Sequence, residues 1–418
     1  MSTVEESAPT GLLLIELDGD GSHPAAWRKS AGSPAASLGP ARLRDVTLAA
    51  ESAGFHAATF RDGVPGAGTN AGANSSVRLN ALQRAAFVAP LTRSIALVPE
   101  VETVYTEPFH VSTQLATLDY VSRGRAGWLV SASGSAAESA AQAAAVGRRP
   151  ADSDRRTREA GAAIEVSRRL WDTWEDDAVI KDVATGRYLD VDRLHYADFE
   201  GPDYSVKGPS IIPRPVQGQL PVLAPAGLLA PDAVAQGAAD ALLVSAPTIW
   251  LLLSELQDAA ADRASALRLE RGRLERGRLE RGRGGAADQQ PLPAFIAELD
   301  VVLDARGESA SSRLAGLERY ATWESPRARF VGSAAQLVEL LADLLAAGAG
   351  VRLHPAVLDV DLEELAQLVL PALRWRGLLS PVTPDAPFRG LLGLPRPVSR
   401  YAAARSAVGP SADAPAWN

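Results

Sequence analysis

With 418 residues and 46% hydrophobic content the chain can bury a full core, and its formal net charge of -8 disfavours polyanionic partners such as nucleic acid. The absence of cysteine removes disulfides and thiolate chemistry, and the five histidines, His23, His56, His110, His195 and His354, are too scattered for a His-x-x-x-His or His-Glu-x-x-His site, so no metal is expected. The acidic opening MSTVEESAPT has no apolar core and no uninterrupted run of about 18 apolar residues follows, which predicts a cytoplasmic protein without signal peptide or membrane anchor.

Eight strands can be placed in chain order, most of them followed by a helical pattern. Leu12 to Leu17 is a continuous apolar run broken by Asp18. A helix containing Arg42 to Ala53 is ended by Gly54, and Ala57 to Phe60 supplies the second strand. The third begins at Ile95 and reaches Val101. Pro108 then sits where a helix can start without wasting an N–H, Gly124 stops that helix, and Gly127 to Ser131 is the fourth strand. This βαβ crossover leaves the polar groups of Thr103, Tyr105, Ser131 and Ser133 near the C-terminal strand ends, the edge where α/β proteins bind ligands.

A long excursion over residues 145–218 follows. Its helix is built around Ile164, Leu170, Trp171 and Trp174, and Pro202, Pro209, Pro213 and Pro215 forbid regular structure later in it. It reads as a lid or wall over the barrel mouth and not as a separate domain. Pro221 to Ala224, Ala241 to Val244, Ala294 to Leu303 and Val351 to Leu353 complete the set. Near-continuous apolar strands alternating with amphipathic helices indicate a parallel sheet buried on both faces, and the whole chain, 1–418, reads as one (β/α)8 TIM barrel with an enlarged fourth crossover and a low-complexity insertion.

The insertion is the repeat RLERGRLERGRLERGRGG, Arg268 to Gly285. A period of five turns each leucine by about 140° on a helix, so Leu269, Leu274 and Leu279 form no single stripe. A glycine per repeat also costs roughly 1 kcal/mol of helicity relative to alanine, and a disordered insert over 268–290 is expected. Gly66 to Ala71 fits a loose G-x-G-x-x-A pattern, but Gly63, Val64 and Pro65 separate it from the strand and no tight strand-turn-helix forms. No Gly-Lys-Ser/Thr loop and no G-x-S-x-G elbow occurs, which removes the common phosphoryl-transfer and α/β-hydrolase readings.

TVYTEPFH at 103–110 and ATLDYVSRGRAGW at 116–128, followed by LWDTWEDDAV at 170–179, the segment 195–227, LVLPALRWRGLL at 368–379 and FRGLLGLPRP at 388–397, resemble in order the bacterial luciferase-like flavin monooxygenases, in their nitrilotriacetate monooxygenase-type two-component branch. The resemblance implies an oxidoreductase that takes reduced FMN as co-substrate from a separate flavin reductase, reacts it with O2 and oxygenates a small organic substrate, as a homo-oligomer. It implies that Asp62 and Thr103 approach the flavin ring, that Ser133 and Gly227 belong to the phosphate end, and that His23, Trp27, Tyr105 and His110 line the substrate pocket.

Departures from the pattern fall at the phosphate clamp. Where the family carries Ala-Gly-Ser-Ser, this chain reads Ala226-Gly227-Leu228-Leu229, with Asp232 in place of a glycine; Leu129 and Ala132 replace an asparagine and a threonine, and Thr157 replaces a tyrosine. The cluster Arg148, Arg149, Arg155, Arg156 and Arg158 offers guanidinium groups that could compensate. Two other readings stay open on the sequence: a degenerate barrel without cofactor that acts as a binding or scaffold protein, and an oxidoreductase that uses a deazaflavin.

Overall fold

The eight expected strands all form, because each is an apolar run that parallel neighbours can cover on both faces. In the computed structural model, which describes residues 11–30, 36, 38–62, 79–261 and 292–402, they are β1 (Leu13–Glu16), β2 (Ala57–Phe60), β3 (Ala96–Glu102), β4 (Trp128–Ser131), β9 (Val222–Pro225), β10 (Ala241–Val244), β11 (Ala294–Leu303) and β13 (Ala349–Pro355). All pair in parallel in that order. β10 joins β11 and β13 joins β1, so the barrel closes. The 268–290 insert and the Gly66 to Ala71 stretch lie outside the described residues.

A further parallel strand, β12 (Ala328–Gly332), pairs with the outer half of β11 from Leu299 to Leu303. It lies outside the closed ring and had no counterpart in the sequence reading, since ARFVG is short and interrupted by Arg329.

Strand alternation divides the core in two. Leu13, Ile15, Ala58 and Leu97 join the large cluster beneath the helices, whereas Leu14, Val98, Leu129, Leu223, Leu243 and Ile296 fill the lower barrel interior. Phe388, on the short helix Phe388–Leu391, plugs that interior from below. A Cβ at Gly127 would sit 2.6 Å from the Phe388 ring, so only glycine admits the plug.

The 145–218 excursion begins with the helix Ser153–Asp172, capped by Asp152, which accepts from the Arg155 N–H. This helix packs beside Pro108–Val121, where the Trp171 indole donates to the Ser112 carbonyl at 3.1 Å and meets Trp128 edge to face. Two short hairpins follow, β5 (Val179–Asp182) with β6 (Arg187–Leu189) and β7 (Phe199–Glu200) with β8 (Ser205–Val206). Phe199 and Val206 of the second pack on Val166 and Leu170 of the helix. Among the described residues no helix is long and apolar enough to cross a membrane.

Candidate active site

The alternation that buries Leu14 in the lower interior brings Glu16 to the next layer up, and the same phase applies to Thr59, Glu100, Glu298 and Arg352. The upper barrel is therefore charged where the lower is apolar. Above it a cavity of about 920 Å³ opens at the C-terminal strand ends, lined by residues of β3, β4, β9 to β11 and β13 and by Arg61 and Asp62 just after β2. Its volume is in the range of small-molecule and cofactor pockets.

The floor is a hydrogen-bonded ionic network. Arg352 donates from Nε to Thr59 Oγ1 at 3.0 Å and from Nη1 to Glu298 Oε1 at 2.8 Å, while Nη2 bonds Glu16. Thr59 in turn donates to Glu16 at 2.7 Å. Glu298 also bonds the His354 ring at 3.2 Å and accepts from the Ser245 hydroxyl at 2.5 Å. Burial would push the Glu16 carboxyl up, yet the positive charge of Arg352 and the Thr59 hydrogen bond hold it at about 2. Glu298 is likewise lowered against burial, by the His354 hydrogen bond and Arg352. His354 falls to about 4 because burial and the charges of Arg327 and Arg352 disfavour its cation.

Two more arginines face the same space. Arg61 lies with Nε 3.4 Å from the Glu100 carboxylate, and Arg327 donates from Nε to Asp300 at 2.7 Å. Burial raises Glu100, and the negative charges of Glu16 and Asp18 add to that against the pull of Arg61. Glu102 is also raised by burial, although its carboxylate accepts from the Val104 and Tyr105 N–H groups.

The opposite rim is built from the β4 and β9 ends and the first turn of Ser153–Asp172. Ser133, Gly134, Ser153, Arg156, Thr157 and Gly227 meet there. Of the five clustered arginines, Arg148 and Arg155 bond Glu159, Arg158 bonds Asp203, and Arg149 is exposed. Arg156 alone reaches the cavity, and its one hydrogen bond among the described residues is to the Ala151 carbonyl at 3.3 Å. Gly227 turns the chain at φ 84°, and no atom lies within 4 Å of where a Cβ would stand, so its backbone is open to a ligand. An arginine without a carboxylate partner, three hydroxyls and an open backbone turn suit a phosphate; Leu129, Val130, Leu228 and Leu243 offer apolar wall to a flat ring. The residues present thus fit FMN with its phosphate at the rim.

Four of the residues expected at the site meet the cavity only in part. Asp62 lines it, but its carboxylate accepts from Ala81 N and Asn80 Nδ2 at the start of helix Ala81–Val88. Ser133 lines it and donates to Gln142, and Gly227 lines it as described. Thr103 is buried and gives its hydroxyl proton to the Ser131 carbonyl at 3.0 Å. Asp232 stands exposed on the helix Pro231–Ala235 outside the cavity lining, while Leu229 is core and Leu228 is wall.

The four residues expected in the substrate pocket lie outside the lining. His23 is buried against Trp323, with ring centroids 5.2 Å apart, and accepts from Ala25 N. Trp27 is half exposed under the Arg28 guanidinium. Tyr105 shares a 2.7 Å hydrogen bond with Ser139 and accepts from Ala151 N, and His110 is exposed on a first helical turn. The sequence reading missed Glu16, Arg61, Glu100, Glu298, Arg327, Arg352 and His354. For Glu16, Glu100, Glu298, Arg352 and His354 the signal was an ionisable residue in the inward phase of a strand that otherwise reads as apolar, whereas Arg61 and Arg327 lie on the segments beside β2 and β12.

A family model described as luciferase-like monooxygenase matches residues 22–339. Among known proteins, the chain is 27% identical over 436 residues to N-acetyl-S-(2-succino)cysteine monooxygenase of Bacillus subtilis (strain 168), covering 93% of this chain and 98% of that one. It is 38% identical over 144 residues to nitrilotriacetate monooxygenase component A of Aminobacter aminovorans, covering 34% and 30% of the two chains. Among solved structures, EDTA monooxygenase from Chelativorans sp. BNC1 superposes with a TM-score of 0.72 over 93% of this chain and 99% of its own, at 18% identity, a likeness of fold.

Proposed function

The chain belongs to the luciferase-like monooxygenase family and is a flavin-dependent monooxygenase, and from that premise we propose that it uses FMN, received reduced from a separate flavin reductase, to oxygenate a small organic substrate in the cavity above the charged floor. The observation that carries the choice of FMN is Arg156: it lines the same rim as Gly227, with no carboxylate of the described residues to neutralise it. Its guanidinium, with the Ser133, Ser153 and Thr157 hydroxyls, would hold the phosphate. The name of the Aminobacter relative, a component A, supports supply of the flavin by a second protein.

Reduced flavin bound here supplies the electrons that divide O2 between an oxygen atom for the substrate and water. The chain's own part is to orient and to keep the reacting atoms dry. Leu129, Val130, Leu228 and Leu243 would exclude water from the walls, and Arg156 would hold the phosphate end of the flavin at the rim. Arg352 and His354 hold Glu298 ionised at one place on the floor, so that the electrostatic field there is set before a substrate arrives.

Anaerobic titration with reduced FMN and with reduced riboflavin tests this. Arg156→Gln is expected to weaken FMN by about tenfold or more, the loss of a charge-assisted hydrogen bond of roughly 1.5 to 3 kcal/mol, and to change riboflavin by less than about twofold. Equal effects on both ligands refute the phosphate placement. A parent protein that binds neither ligand refutes the flavin reading and favours a barrel that acts by binding alone.

A further inference from the structure

We infer that Arg61 and Arg327 form a carboxylate-binding subsite on the cavity floor, so that the substrate is an organic anion. The inference rests on the oxygenase reading of the same cavity. Three arginines meet at this floor and only one is fully used. Arg352 spends all three of its nitrogens, on Thr59, Glu298 and Glu16. Arg327 is held through Nε alone, by Asp300, and its two terminal nitrogens make no hydrogen bond among the described residues. Arg61 makes none at all within that set, its nearest acceptor being Glu100 across 3.4 Å. Both side chains line the cavity.

A guanidinium anchored at Nε presents its terminal N–H pair as a fork, the geometry that grips a carboxylate through two parallel bonds. Asp300 is fully buried and fixes the Arg327 stem, while the Arg61 fork rises from the end of β2. A carboxylate can accept from both terminal nitrogens of such a fork at once. The acidic neighbours are each tied to an arginine or to backbone N–H groups. Glu16 and Glu298 share the single charge of Arg352, Asp300 is paired with Arg327 and Glu100 with Arg61, and burial raises Glu100 and Glu102 above the ordinary carboxylate range. Arg61, paired with Glu100 across 3.4 Å but without a hydrogen bond among the described residues, is the floor cation held least rigidly.

The test compares succinate with dimethyl succinate, which keeps the carbon skeleton and loses both charges, by calorimetric titration of the full chain. The parent is expected to bind succinate at least about tenfold more tightly than the diester, and Arg61→Gln and Arg327→Gln are each expected to remove about tenfold of the succinate affinity. If the parent binds the diester as well as succinate, or binds neither while binding reduced FMN, the subsite is overturned and the flavin reading stands. If succinate binds as described but reduced FMN does not, the flavin reading fails and the anion site survives. The ester comparison uses the parent alone, so the question is decided even if a variant does not fold.

Discussion

Replacing Arg352 by methionine tests the electrostatic account of the barrel floor. Arg352 is 3% exposed and bridges Glu16 and Glu298, so its loss strands the buried Glu16 and takes one partner from Glu298 at the cavity floor. Removing one partner of a buried ion pair costs about 3 to 5 kcal/mol. The penalty must depend on pH, and its sign follows from Glu16. In the parent, Glu16 sits at about 2 against an ordinary 4.5, so its contribution is fully present above 4.5 and is lost as pH falls from there towards 2. In Arg352→Met the opposing cation is gone, burial dominates, and the folded carboxyl rises above 4.5. Its protonated form then favours folding at low pH and ceases to as pH rises through the new value. The gap between parent and variant is therefore widest near pH 8 and narrows towards pH 5, measured by urea unfolding with tryptophan fluorescence and circular dichroism together. Arg352→Met with Glu16→Gln is expected to recover about half of the loss. A penalty below about 1 kcal/mol at pH 8, or one that is the same at both pH values, refutes the reasoning.

Three other outcomes are expected. Thr103→Val leaves reduced-FMN affinity within about twofold and lowers stability by about 1 kcal/mol, because the hydroxyl is committed to the Ser131 carbonyl; flavin titration and urea midpoints separate the two effects. Asp232→Gly leaves FMN affinity unchanged, as the side chain stands outside the cavity lining, whereas Leu228→Ser adds a hydroxyl at the rim and tightens FMN by about threefold to tenfold while riboflavin changes little. His354, held at about 4 against 6.5, contributes stability that is fully present above 6.5 and is lost as pH falls from 6.5 to 4; His354→Gln flattens that limb of the stability curve, and an unchanged slope would place the loss elsewhere.

The barrel was legible because its strands read as short apolar runs bounded by polar, charged or proline residues, a signal that survives without neighbours. The most recognisable motif turns out to serve folding. In the stretch 116–128, Arg125 is buried and bonds the carbonyls of Ala89, Thr92 and Ile95, and Asp119 accepts from the backbone and side chain of Gln217. Recognition of the family from these residues therefore said little about where the chemistry sits. His23 and Trp27 follow β1 and were expected at the mouth, but the loop turns back: Ser22 and His23 bond the carbonyls of Pro355 and Ala356 and carry the His23 ring under Trp323. The floor was hidden for a different reason. Glu16, Thr59, Glu100, Glu298 and Arg352 are far apart in sequence, each alone looks like a strand-end polar residue, and only the shared phase of five strands groups them.

That shared phase also bears on why the floor is charged at all. An interior layer of leucine or methionine at these positions would be about as stable as the ion network or more so, since the desolvation of buried pairs roughly cancels their attraction. Stability therefore gives no account of Glu16, Glu298 and Arg352. Geometry does. Glu298 is fixed from β13 by Arg352 and His354 and from the end of β10 by Ser245, and Arg352 is fixed in turn by Thr59 and Glu16 on β2 and β1. Held by four strands of a closed barrel, these charges cannot rearrange to screen whatever enters, and their field stays directed at the cavity above. Unlike Arg352, Arg61 and Arg327 keep their terminal nitrogens uncommitted within the described residues, so the rigid pairs define the wall and the two free forks define what can bind against it.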